Sequence, residues 1–111
     1  MSSSPAAEVA QNTRGNHTFG QLVDMVAQYY TIGVAELKSE SRKKEITVPR
    51  QILMFLAKKY FHWTFEKIGD WFGGKNHASV MYAVDNVEKK LAGNDKDLNH
   101  DYQVFVDWLE K

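Results

Sequence analysis

The sequence predicts an all-α domain, small and organised around a helix-turn-helix. Three observations predict it. The break Phe72-Gly73-Gly74-Lys75 separates two stretches of helical apolar spacing, and its glycines permit a sharp turn. After the break, Val80, Val84, Val87 and Leu91 repeat at intervals of four, three and four, which marks one face of a helix. Before it, Phe65, Ile68, Trp71 and Phe72 give a shorter amphipathic stretch, so two helices meet at a glycine turn.

The remaining elements follow in chain order. Residues 1–17 hold Ser, Pro, Ala, Asn and Gly without an apolar repeat and read as a flexible tail or linker ahead of one domain over residues 18–111. Thr18 with Gln21 offers a capping box, and Phe19, Leu22, Val23, Val26, Ala27 and Tyr30 carry a first helix to about Tyr30. Tyr29-Tyr30 also resembles a stacking platform for bases, although aromatic residues on an apolar stripe are usually core. Gly33 breaks this helix, and a short turn from Val34 to about Ser39 places Val34 and Leu37 inward. The polar, cationic segment from Lys38 to Glu45 lacks periodicity and reads as an exposed loop. Thr47-Val48-Pro49 starts the third helix, with Pro49 near its first position and Leu53, Leu56, Ala57 and Tyr60 facing inward through about Phe61.

Thr64 is the expected N-cap of the bracing helix, with Lys67 three residues on, so a full capping box is absent. The helix from Thr64 to Phe72 braces a recognition helix from about Asn76 to Leu91. Gly93 is the expected C-cap. Asn94 to Asp97 lead into a last helix whose Leu98, Tyr102, Phe105 and Leu109 form one packed face; Phe105, Trp108 and Leu109 are alternatively a surface for a protein partner.

Composition bounds the chemistry. The chain has 111 residues, 43% hydrophobic and 13% aromatic, enough for one modest core. It has no cysteine, which removes disulfides, thiol nucleophiles and cysteine zinc sites and fits a reducing compartment. No apolar run approaches the ~20 residues of a membrane span, and Met1-Ser2-Ser3-Ser4-Pro5 lacks the features of a leader, so a cytoplasmic protein is expected. His17, His62, His77 and His100 form no pair four apart with an acid between, so no metal site is expected. The run Gly69 to Asn76 nearly copies a phosphate loop, but Asn76 lacks the magnesium-binding hydroxyl and a helix precedes it. No nucleophile, base and orienting residue form a set, so the domain is not expected to be an enzyme.

Net charge is zero but segregated. Residues 38–75 hold nine Lys or Arg against four acids, whereas residues 76–111 hold four against seven. Such a neutral domain can present one basic face to phosphates, although ordinary surface variation also produces such a bias. With Val80 and Val87 inward, Ala78, Ser79 and Tyr82 project outward and Lys75 lies ahead of the first turn. Small, polar and cationic groups at a helix N-terminus suit the DNA major groove. A basic loop beside it can reach the minor groove, where an inserted arginine senses groove width.

Several motifs in order, Ser41-Arg42-Lys43-Lys44, Pro49-Arg50-Gln51, Ile68-Gly69 and Phe72 to Val80, make the chain resemble the C-terminal DNA-binding domain of the bacterial chromosomal replication initiator DnaA, over roughly residues 18–91. The resemblance implies a Trp-repressor-like helix-turn-helix that binds double-stranded DNA at short replication-origin repeats. It implies Arg42 as the minor-groove arginine and Lys44 as a phosphate contact. Arg50, Gln51 and Lys58 match positions that hold DNA backbone oxygens, as do Thr64, the backbone of Phe65, Lys75 and Ser79. His77 matches a major-groove contact, with a buried ring as the other reading.

Departures bear on the preferred sequence. Glu40 falls where the family is often basic. Glu66 replaces a common proline and either accepts from a cytosine amino group or faces solvent. Lys75-Asn76-His77-Ala78-Ser79 stands where Arg-Asp-His-Thr-Thr is usual. Lys75 loses the bidentate fork, Asn76 either pairs with adenine or caps the helix, and Ala78 keeps a methyl for thymine. The resemblance further implies replication-initiation proteins as partners, a monomeric isolated domain, and no cofactor in this chain, ATP and magnesium belonging to a linked ATPase domain. Two other functions fit the residues: a stand-alone regulator with this domain, and a helical protein-interaction module.

Overall fold

The computed structural model describes residues 17–111 together with the backbone of Thr13–Arg14. The described residues begin with an antiparallel pair of two-residue strands, β1 (Thr13–Arg14) and β2 (His17–Thr18), in register Thr13↔Thr18 and Arg14↔His17. These strands fall at the end of the segment read as a tail; the rest of that segment lies outside the described residues. Thr18 then caps α1 (Phe19–Tyr30): its hydroxyl accepts from the Gln21 amide at 3.1 Å while the Gln21 side chain accepts from the Thr18 amide at 2.9 Å. This satisfies two amides that the first turn cannot pair internally. The helix ends at Thr31, left-handed at φ 58°, before Gly33 is reached. Gly33 instead precedes α2 (Val34–Leu37), its amide donating to the Glu36 carboxylate at 2.9 Å.

The third helix corrects the sequence reading. α3 spans Lys44–Tyr60, so Lys44 and Glu45 belong to its first turn and Pro49 sits inside it. Ile46 is the reason: it is buried, and with Pro49, Leu53 and Leu56 it extends the inward stripe at intervals of three, four and three. Proline leaves the Glu45 carbonyl without its usual helical donor, a cost that burying Ile46 and Pro49 offsets. The basic loop is therefore shorter than expected and ends at Lys43.

From Ile52 to Ala57 every residue of α3 is buried, because α1, α2, α4 (Phe65–Trp71) and α5 (His77–Ala92) all pack on it. A helix apolar all round belongs at the centre. The Phe19 ring sits 4.6 Å from Trp63, 5.2 Å from Trp71 and 5.3 Å from Phe61, tying α1 to the segment that leads into α4.

After α5, Gly93 caps the helix but the left-handed residue is Asn94, at φ 63°. Asp95 accepts from the Leu98 amide at 3.0 Å and starts α6 (Lys96–Leu109). Phe105 and Leu109 are buried, and Trp108 stacks on His17 at 3.8 Å. The face offered to a protein partner in the sequence reading is thus consumed by the fold. No helix among the described residues is long and apolar enough to cross a membrane.

Candidate nucleic-acid interface

The turn between α4 and α5 is built on two glycine requirements. The Gly69 carbonyl accepts from the amides of Gly74 at 3.0 Å and Lys75 at 2.9 Å, drawing the chain so close that a Cβ on Gly69 would collide with the Lys75 carbonyl. Gly73 has φ +88°, and a Cβ there would lie 2.5 Å from the Lys38 carbonyl. The turn is therefore pressed against the start of the basic loop. Thr64 caps α4 by accepting from the Lys67 amide at 3.0 Å, and Glu66 lies exposed in the first turn, where a carboxylate suits the helix dipole.

Asn76 caps α5, its side-chain oxygen accepting from the Ser79 amide at 3.0 Å. Of its two sequence readings, this geometry supplies the cap. Val80, Ala83 and Val87 are buried while His77, Ala78 and Ser79 are exposed, so the start of α5 is presented to solvent. Beside it, Tyr82 is 67% exposed.

A groove of about 420 Å³ runs between the basic loop and α5. Glu40, Ser41 and Arg42 line it from the loop; Lys75, Asn76, Ser79 and Tyr82 line it from the turn and α5, with Arg50 and Gln51 from α3. Arg42 and Lys75 thus share one face of the molecule. Across α4, Lys58 holds its ammonium 4.6 Å above the Phe65 ring, which lies 5.7 Å from the His77 ring. Lys44 is exposed in the first turn of α3.

Arg50 departs from its expected place. Only 7% exposed, it turns its guanidinium on carbonyls of the last turn of α2 and of the loop rather than to solvent: Nε donates to Leu37 at 2.8 Å, Nη1 to Ser41 at 3.0 Å, and Nη2 to Ser39 at 3.0 Å and Glu36 at 3.3 Å. Lys75 Nζ donates to the same Ser39 carbonyl at 2.8 Å. Burial lowers the pKa of both groups, and Arg50's charge lowers that of Lys75 further, while Glu40 opposes each shift. Gln51 accepts from the Asn86 side chain at 2.8 Å, joining α3 to α5.

Residues 20–87 match the family described as the bacterial dnaA protein helix-turn-helix. The chain belongs to this family. Among curated proteins it is similar to the chromosomal replication initiator protein DnaA of Citrifermentans bemidjiense, 35% identical over 79% of this chain and 19% of the relative. It is also similar to DnaA of Latilactobacillus sakei, 42% identical over 67% of the chain and 16% of the relative, and of Dechloromonas aromatica, 41% over 77% and 18%. The chain spans about a fifth of the length of the relatives it matches.

Within the DnaA helix-turn-helix family, the matched segment runs from the first turn of α1 to within α5 and leaves α6 outside it. Tyr82 and Glu40 also line the groove, and neither is among the DNA contacts expected from the sequence, while Asn86 ties α5 to α3 through Gln51. The helical repeat Asn76, Ser79, Tyr82, Asn86 was the available signal for one continuous face along α5.

Proposed function

We propose that this chain is the DNA-reading domain of a replication initiator, binding double-stranded DNA at origin repeats in the cytoplasm. The start of α5 enters the major groove, bringing His77 and Ala78 to base edges and Asn76 to the adjoining base or its phosphate. Arg42 enters the adjacent minor groove. Lys44, Lys58, Thr64, the Phe65 amide and Ser79 hold backbone oxygens, and Glu66 faces the base where the family commonly has proline. The observation that carries this reading is that Arg42 lines the same groove as Asn76 and Ser79, so one duplex can meet both elements. Catalysis, ATP and magnesium belong to a linked ATPase domain, with other initiation proteins assembling around it. The isolated domain acts as a monomer.

Titration of a fluorescent duplex bearing origin-type repeats, against a scrambled duplex, at several salt concentrations tests the reading. Binding should favour the repeat and weaken with salt at a log–log slope of about −0.9 for each phosphate contacted. A shallow slope with no preference between duplexes would reject it.

A further inference from the structure

Two cations that a DNA reader would aim at phosphates are instead directed at its own backbone, at the end of α2 and in the loop that follows it. Arg50 grips the carbonyls of Glu36, Leu37, Ser39 and Ser41, using four of the five N–H donors that a guanidinium owns. The last of these carbonyls lies one residue before Arg42. From the other side, the end of α4 and the turn that feeds α5 press on the same stretch at three points. Gly73 abuts the Lys38 carbonyl, Lys75 donates to the Ser39 carbonyl at 2.8 Å, and Trp71 lies 4.2 Å beneath the Lys38 ammonium. A loop with free ends would leave Arg42 to search; this one is fastened at Lys38, Ser39 and Ser41, up to the residue before it.

We infer that Arg50 and Lys75 are positioning residues that join the basic loop to the helix-turn-helix through the Ser39 carbonyl, fixing the distance between Arg42 and the start of α5. The inference rests on the proposed DNA reading and deepens it. The loop and α5 then read DNA as one rigid caliper, and the spacing between an A·T-rich minor-groove element and the major-groove bases becomes part of the recognised sequence. Ordering of the loop before binding also removes an entropy cost that a free loop would meet on the duplex.

A double-mutant cycle tests it, with Lys75→Met and Arg42→Ala measured singly and together on duplexes whose minor-groove element is either A·T or G·C, and on duplexes with one base pair inserted between the two elements. Thermal melts confirm that each variant is folded. In the wild type, Arg42→Ala should reduce the A·T preference by roughly fivefold or more; if it does not, the DNA reading itself fails at the minor groove. If the inference holds, Lys75→Met alone reduces the A·T preference and the penalty for the inserted pair. In the Arg42→Ala background it changes neither, and it leaves the salt slope where Arg42→Ala put it. If Lys75 is only a phosphate contact, Lys75→Met lowers affinity equally for all duplexes and reduces the slope by about 0.9 in either background, and the inference is overturned. Arg50→Lys supplies a second arm: one ammonium cannot hold four carbonyls, so a folded Arg50→Lys protein should lose spacing selectivity, and retained selectivity would overturn the proposal.

Discussion

Tyr30 and Asp101, 71 residues apart in sequence, meet at 2.6 Å, the phenol donating to one carboxylate oxygen while Tyr29 donates to the other at 2.7 Å. This pair of bonds joins α1 to α6 using neighbouring residues of α1. None of the three residues lines the groove. The aromatic pair that resembles a base-stacking platform is thus engaged in holding α6.

Replacing Asp101 by Ala should therefore lower stability without changing DNA recognition. Two phenols lose a charged acceptor, one of them half-buried, at a cost of about 2 kcal/mol, since bonds to charged groups contribute about 1.5 to 3 kcal/mol each and Tyr29 is partly in water. For a domain of this size the melting temperature should fall by about 10 °C. Duplex affinity measured well below that temperature should match the wild type; a large loss of affinity would show that α6 shapes the interface.

The phenols also give the domain an alkaline limit. Burial pushes the pKa of Tyr60 up to about 12, helped by its hydrogen bond to Tyr102; burial and the bond to Asp101 raise that of Tyr30. A group with a raised folded pKa contributes stability below its unfolded value near 10, and that contribution is lost as pH climbs through the folded value. Urea midpoints should stay level from pH 8 to about 9.5 and fall above pH ~10, more steeply in the wild type than in Tyr60→Phe. Parallel curves for the two proteins would refute the assignment to Tyr60.

The two glycines of the turn should respond differently. Gly74 has φ +80° with nothing within 4 Å of a Cβ built there, so Gly74→Ala meets only the left-handed backbone cost of about 1 to 2 kcal/mol. Gly73→Ala adds a collision with the Lys38 carbonyl and must displace the loop. Chemical denaturation should show a clearly larger loss for Gly73→Ala. Equal losses would mean that the turn and the loop are not in contact in solution.

Asn76 separates capping from base reading. Asn76→Ala should cost about 1 kcal/mol of stability through the lost cap, whereas Asn76→Asp keeps an acceptor for the Ser79 amide and places a negative charge at the helix N-terminus. Stability of Asn76→Asp should equal or exceed that of the wild type. Selection from random duplexes should then return a different preferred base for Asn76→Asp, one with an exposed amino group such as cytosine. An unchanged selected sequence would confine Asn76 to the cap.

Local signals carried much of the fold. The Thr18 and Gln21 pair, the Thr64 cap, the inward valines of α5 and the packed face of α6 were legible because each depends on neighbours within one helical turn. The start of α3 was misread for a local reason, since Pro49 resembles a first-turn proline; only the buried environment of Ile46 carries the helix back to Lys44. The exposure of Ala78, Ser79 and Tyr82 likewise followed from periodicity alone, whereas for His77 the fold decides between the exposed and the buried ring in favour of exposure.

By itself, then, the order of residues determined which segments become helices, where the glycine turn falls, and which side chains of α5 face away from the core. What only the tertiary structure decided is how the cations are used. Arg50 and Lys75 are as cationic in the sequence as Arg42 and Lys44, yet the folded chain brings carbonyls from residues 36–41 within 3.4 Å of the first pair. A cation drawn wholly or partly out of water takes the nearest acceptors because unmet donors are costly there, and those acceptors belong to backbone 9 to 37 residues away in the chain.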